Sequence, residues 1–175
     1  MTKLRINRMN FDLAFESNAT DSDTEVYLDS ESGEILFVVE DITSQLNDLI
    51  TDQKTFDDVL VMLQTNEELS EFERTSLIEA AHVEYDEVNR YRVFPKPDSR
   101  EGYEDMEMFI ALLKDDGLSE LLEIAIRGSG AFKRFKDVLF QDADAKQEWY
   151  AFKEQREEQR QLDWLTSEKL EAEFE

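Results

Sequence analysis

Hydrophobic and polar positions alternate with two different periods along this chain, and the change of period marks out its elements. Glu25-Val-Tyr-Leu-Asp29 and Glu34-Ile-Leu-Phe-Val-Val39 are short runs rich in β-branched and aromatic residues, joined by Ser30-Glu-Ser-Gly33. Gly33 can take the positive φ that a tight turn demands, so the two runs read as a β-hairpin. Before them, Phe11, Ala14 and Phe15 suggest a helical turn or short helix, and the polar stretch Asn18 to Thr24 reads as a loop. From Asp41 to Glu87 the period becomes helical: Phe56, Val59, Leu60 and Leu63 recur at spacings of three and four, as do Phe72, Leu77, Ile78 and Ala81. Arg90-Tyr-Arg-Val-Phe-Pro95 then reads as a third strand, ended by Pro95 and Pro97, which cannot donate ladder hydrogen bonds. A lone hairpin is marginal, so this strand is expected to join it.

After the prolines the helical period persists. Asp98-Ser-Arg-Glu101 suits a capping box, and behind it Tyr103, Met106, Ile110 and Leu113 form an apolar stripe with Glu104, Asp105 and Glu107 turned outward. Leu118, Leu121, Leu122, Ala125 and Ile126 stripe the next helix, which Gly128 and Gly130 end. Phe132, Phe135, Val138 and Leu139 face the core from a third helix. Ala145, Trp149, Phe152, Leu162 and Leu165 lie on one long helix or two linked ones, followed by a charged tail. There is no internal repeat and no proline- or glycine-rich linker. The expected architecture is one α+β domain over residues 1–175: a small antiparallel sheet beside a predominantly helical bundle, with an acidic half at 1–97 and a helical half at 98–175.

Charge changes this picture most. The chain holds 43 acidic and 19 basic residues, a net charge of −24. With 41% hydrophobic and 11% aromatic residues it is too apolar to be disordered, so the carboxylates must clothe a packed core. They are unevenly spread: Phe11 to Glu87 carries 22 acidic residues against only Lys54 and Arg74, whereas Val88 to Glu175 carries 21 acidic and 14 basic. Such a surface has no basic footprint for general nucleic-acid or anionic-membrane binding. No apolar run approaches the roughly 20 residues that span a bilayer, and none follows the basic start Met1 to Ile6, so neither a membrane span nor a signal peptide is expected. The absence of cysteine rules out disulfides, thiolate zinc sites and a cysteine nucleophile; it fits a reducing, cytoplasmic setting.

Ser99-Arg-Glu-Gly-Tyr-Glu-Asp-Met106, Ala125-Ile-Arg-Gly-Ser-Gly-Ala-Phe-Lys-Arg-Phe-Lys-Asp-Val-Leu139, Trp149-Tyr-Ala-Phe-Lys153 and Asp163-Trp-Leu165 resemble a bacterial family catalogued as uncharacterised protein family 0158. The resemblance is strongest over about Arg90 to Leu165, and the turn Tyr27-Leu-Asp-Ser-Glu-Ser-Gly-Glu34 also fits it. The acidic stretch Asp41 to Glu87 looks private to this chain, and Gly128-Ser129-Gly130 stands where the family commonly has glycine-arginine-glycine. The resemblance implies a fold kinship and a bacterial origin; it supplies no activity and no catalytic residues.

One segment stands out chemically. Arg127-Gly-Ser-Gly-Ala-Phe-Lys-Arg-Phe-Lys136 has four basic residues, no acidic ones and two glycines just before a helix. In the structural reading the glycines end one helix and start another, Phe132 and Phe135 anchor it, and the cations pair with nearby carboxylates such as Asp137, four residues after Lys133. In an anion-binding reading Arg127, Gly128, Gly130, Lys133, Arg134 and Lys136 hold a phosphate or carboxylate at the helix start, although no P-loop spacing is present. In a third reading the two helices form a helix-turn-helix-like unit, against which the net charge stands.

Elsewhere the chemistry is thin. His82 is the only histidine; Glu79-Ala-Ala-His82 has the spacing of a di-iron helix motif, but such sites need two motifs and further glutamates. Asp21-Ser-Asp-Thr-Glu25 starts like a calcium loop yet has Val26 and Ser32 where glycine and glutamate belong. Trp149, Tyr150 and Phe152 could stack on bases, but helical spacing reads Trp149 and Phe152 as core. No catalytic residue, metal ligand or cofactor is expected. The sequence reading is a non-enzymatic acidic interaction or regulatory protein whose first half meets a basic protein partner; an anion-binding module using the Arg127–Lys136 turn and a nucleic-acid-associated protein are the alternatives.

Overall fold

In the computed structural model the described residues are 3–20, 22–50 and 55–175, with side chains left aside at 18–20. Lys54 and Asp21, which figured in the charge count and the calcium-loop comparison, lie outside them. The elements run β1 (Lys3–Ile6), α1 (Arg8–Thr20), β2 (Thr24–Asp29), β3 (Ile35–Val39), α2 (Glu40–Leu49), α3 (Phe56–Thr65), α4 (Glu71–Glu84), β4 (Tyr91–Val93), α5 (Ser99–Leu112), α6 (Asp116–Ala125), α7 (Ala131–Leu139), α8 (Ala143–Ser167) and β5 (Glu171–Phe174). The chain is thus α+β, mainly helical, as its periodicity predicts. Residue contacts divide it into two compact units, Met1–Lys96 with Leu165–Glu175, and Pro97–Trp164.

In the first unit β2 is the centre of an antiparallel sheet ordered β3-β2-β4, with Tyr27 opposite both Leu36 and Val93. The expected hairpin and third strand are therefore there. Asp29 organises their junction. Its carboxylate accepts from the Glu31 amide at 2.9 Å and the Ser32 hydroxyl at 2.8 Å, closing the turn, and from Arg90 Nε at 2.7 Å, tying the β4 side to it. Burial alone would raise the pKa of Asp29, but the Arg90 guanidinium and the turn donors bring it down to about 2.

A second sheet was not foreseen. β1 and β5 pair in parallel, Lys3 opposite Glu171 and Ile6 opposite Phe174, so the expected charged tail is in fact a strand. Glu175 N donates to Ile6 O and Arg8 N to Glu175 O, both at 3.1 Å. The Phe174 ring lies 5.1 Å from buried Phe11, which also meets Phe94 at 5.4 Å. Leu4, Ile6, Phe11, Val26, Leu28 and Phe94 are all buried, and each such side chain contributes about 2 kcal/mol by leaving water.

Helices α2, α3 and α4 enclose a second cluster of Leu46, Val59, Leu63, Leu77, Ala80 and Ala81 against Val38 of β3. Thr55 and Ser70 start α3 and α4 with full capping boxes to Asp58 and Glu73. Phe72 departs from the sequence reading: it is 78% exposed, because the buried line of α4 runs through Leu77, Ala80 and Ala81 and its first turn faces away from that line. Leu121 and Leu162 are likewise exposed, each one step off the buried line of its helix.

The second unit packs α5, α6, α7 and α8 around Met106, Phe109, Ile110, Leu122, Ile126, Phe135, Leu139 and Trp149. The Phe135 and Trp149 rings meet edge to face with centroids 4.8 Å apart, and Phe109 meets Trp149 at 5.1 Å. Trp149 and Phe152 are accordingly in and around the core. Phe132 is not: its ring lies on the surface at 44% exposure, against Gly102 of α5, while Ala131, Phe135 and Leu139 form the buried line of α7.

Candidate functional site

The four cations of the 127–136 segment have different jobs. Helix α6 ends at Ala125, and the carbonyls of its last turn need donors. Backbone N–H groups of Ile126 and Arg127 supply those of Leu122 and Ile124. Arg134, one turn into α7, supplies that of Ala125 and those of the connection: Nε donates to Ala125 O at 2.9 Å, Nη1 to Ser129 O and Nη2 to Arg127 O, both at 2.6 Å. Gly128 and Gly130 have φ of +75° and +78°, so the chain reverses sharply, and a methyl group on Gly130 would stand 3.1 Å from Arg134 Nη1. Arg134 is thereby committed to the turn.

Arg127, Lys133 and Lys136 are exposed and form no ion pair among the described residues. In particular the expected Lys133–Asp137 pair is not formed; the Asp137 carbonyl accepts from the Gln141 side chain instead. Replacing Arg134 by methionine keeps its aliphatic stem but removes three charge-assisted hydrogen bonds, and a loss of about 2 kcal/mol is expected. Lys133→Met should stay within about 0.5 kcal/mol of the parent. Urea unfolding followed by tryptophan emission compares the two; equal effects would mean that the carbonyl contacts contribute nothing.

Arg127 also borders an open groove of about 360 Å³ between α5 and α6. Tyr103, Glu107, Ile110 and Ala111 line it from α5, and Glu123, Ile126 and Arg127 from the other side. Ile110 and Ile126 are buried and form an apolar floor, whereas Glu107, Glu123 and Arg127 are exposed. Glu123 and Arg127 are four residues apart, yet they form no ion pair among the described residues.

Sequence reasoning missed the most deeply buried charge of the second unit. Asp105, expected to point outward, is buried at 2% exposure. It accepts from Arg156 Nε at 2.9 Å and from Arg160 Nη2, both on α8, and Arg160 also lies 3.6 Å from Glu101. A signal was present: Arg156 and Arg160 are one helical turn apart, and Asp105 shares the side of α5 that carries Gly102 and Phe109.

In the first unit His82 packs between the rings of Phe56, at 4.9 Å, and Tyr91, at 6.1 Å. Burial lowers its pKa, Arg90 adds to that, and Asp29 opposes it, which keeps the ring neutral near pH 7. Among the described residues no group of three carboxylate or histidine side chains is placed to hold a metal ion. No helix among them is long and apolar enough to cross a membrane.

Many of the exposed carboxylates on and beside α2 to α4 have no cation next to them among the described residues. Glu40, Asp41, Asp48, Asp57, Glu67, Glu68, Glu71, Glu84 and Glu87 are exposed and form no ion pair among the described residues. Arg74, the one arginine of these helices, is turned to backbone: Nε donates to Leu63 O at 3.2 Å, and Nη2 to Asn66 O at 2.9 Å and Leu69 O at 3.2 Å.

The fold and these features define a small acidic α+β protein with a basic inter-helix turn. The model of the Uncharacterised protein family (UPF0158) matches residues 76–175, and the chain belongs to that family. No curated protein and no solved structure matches it. The matched residues include the basic turn, the α5–α6 groove and the Asp105 cluster, whereas α2, α3 and the first turn of α4 precede them.

Proposed function

We propose that this protein is a non-enzymatic interaction or regulatory protein whose acidic helices α2, α3 and α4 engage a basic surface of a partner protein. The observation that supports this reading most is the set of exposed carboxylates on and beside these helices that have no cation next to them among the described residues, while Arg74 is spent on backbone carbonyls. Unpaired surface carboxylates repel one another, and a basic partner relieves that repulsion at no desolvation cost to an existing ion pair.

Titration of the protein with fluorescent oligolysine tests the reading by location as well as by charge. Reversal of three acidic residues at the α3–α4 connection, Glu67→Lys, Glu68→Lys and Glu71→Lys together, should weaken binding about tenfold and flatten its dependence on salt. Reversal of three equally exposed acidic residues of the second unit, Glu120→Lys, Glu148→Lys and Glu154→Lys, should have a much smaller effect. Equal effects of the two triple variants would reduce the acidic helices to unspecific charge and overturn the proposal.

A further inference from the structure

The groove between α5 and α6 carries charges of both signs that the fold leaves unused. We propose that it binds a small zwitterion with an ammonium and a carboxylate group, the size and charge of a free α-amino acid. Glu107 and Glu123 offer two carboxylates from opposite walls, and Arg127 offers one guanidinium; none of the three forms an ion pair among the described residues. Glu123 and Arg127 stand four residues apart, but the last turn of α6 tightens there, with Ile126 N donating to Leu122 O and Arg127 N to Ile124 O, and the two side chains are not paired among the described residues. Arg134 then holds the Arg127 carbonyl, so the backbone that presents this guanidinium is fixed before any ligand arrives.

The signs of the wall charges select the ligand class. A phosphate or other dianion would meet Arg127 but also two carboxylates, so the groove disfavours it. A diamine would meet the carboxylates but be repelled by Arg127. A zwitterion satisfies both: its ammonium lies between Glu107 and Glu123, and its carboxylate takes the guanidinium in a charge-assisted, bidentate geometry. Ile110 and Ile126 beneath provide an apolar floor for an aliphatic side chain, and the Tyr103 hydroxyl, on the same wall as Glu107, can donate to the ligand carboxylate or accept from its ammonium. At about 360 Å³ the groove is at the small end of ligand clefts, which run from roughly 300 to 1,000 Å³.

Calorimetric titration and thermal unfolding of the full chain with the proteinogenic amino acids, one at a time, test this assignment. At least one amino acid should bind saturably and raise the unfolding temperature, and its decarboxylated amine and deaminated acid should each bind at least about tenfold more weakly. Arg127→Met and Glu123→Gln, at exposed positions outside the core, should each reduce affinity about tenfold while leaving unfolding of the ligand-free protein unchanged. The proposal is overturned if no amino acid binds at about 10 mM, if both variants bind as the parent does, or if inorganic phosphate binds in preference. The oligolysine experiment depends on other helices, so either proposal can fail alone.

Discussion

Replacing Asp105 by alanine is expected to lower stability by about 3 kcal/mol, among the largest effects available to a single side chain of the second unit. Asp105 is buried, and its two oxygens are taken by Arg156 and Arg160 from α8. Truncation leaves two guanidiniums facing a small cavity with no counter-charge. Removing one partner of a fully buried pair costs roughly 3–5 kcal/mol. The lower end applies because the arginine side chains are 30% and 25% exposed and can recover water. Asp105→Asn preserves volume but presents an amide donor to arginine donors, so it should recover little of the loss. Arg156→Met and Arg160→Met should each cost less, about 1 kcal/mol, since the other arginine still neutralises the carboxylate. Urea unfolding read by tryptophan emission reports on this unit directly, because Trp149 stands in its core. A loss below about 0.5 kcal/mol for Asp105→Ala would show that the cluster behaves as a surface ion pair.

What the sequence revealed of the fold follows from how local each signal is. The β2–β3 hairpin is written in consecutive residues: a β-branched run, a turn with Gly33, and a second run. The helices of the second unit are legible from stripes three and four residues apart, and the helical start at Asp98 is confirmed by its carboxylate accepting from the Arg100 amide at 2.8 Å. β1 and β5 are a different case. Each has four residues, and Glu171-Ala-Glu-Phe174 alternates in polarity but is half charged, so it reads as a solvated tail until Lys3–Ile6, some 168 positions away in register (171 − 3), is set beside it. Pairing at such separation leaves no mark within a sequence window.

The candidate sites show the same division. The basic turn was visible as a cluster of charge, yet charge alone does not say what an arginine touches. Arg74 and Arg134 perform one task in two places, each reaching back to carbonyls at the end of the preceding helix and the connection after it. Backbone carbonyls are present at every residue, so this use of arginine has no sequence pattern: Arg134 read as part of a possible anion site, and Arg74 entered only the count of charges. Asp105 was misread for the complementary reason. A carboxylate on an amphipathic helix normally points to water, and only the two arginines of α8, more than fifty residues later, reverse that preference. The spread of exposed carboxylates over α2 to α4 needed no such partner to be read, because a net charge of this size cannot be hidden in a core.

Gly33→Ala should be at least as damaging in the first unit as Asp105→Ala is in the second, and its comparison with Gly128→Ala separates two costs that glycine substitutions usually confound. Both glycines have left-handed backbones, with φ of +82° and +75°. An alanine in that region carries a conformational penalty of about 1 kcal/mol at either site. Nothing lies within 4 Å of a methyl group built on Gly128, so about 1 kcal/mol is the whole expected cost there. At Gly33 the same methyl would stand 2.2 Å from the carbonyl oxygen of Arg5, a backbone atom of β1 that no side-chain rotation can move away. Either the turn must give up the hydrogen bonds that Asp29 makes to it, or β1 must withdraw from its place beside β5 and loosen the packing of Leu4 and Ile6. An additional loss of about 2–3 kcal/mol follows from either route, for a total of about 3–4 kcal/mol. Circular dichroism during urea unfolding gives the two totals, and amide exchange locates the difference: in Gly33→Ala the amides of β1 and β5 should exchange at least tenfold faster, a change worth about 1.4 kcal/mol or more of local opening. Equal losses for the two variants, with β1 protected as in the parent, would show that the carbonyl of Arg5 yields at no cost and that the close approach of turn and strand is not what holds this end of the chain together.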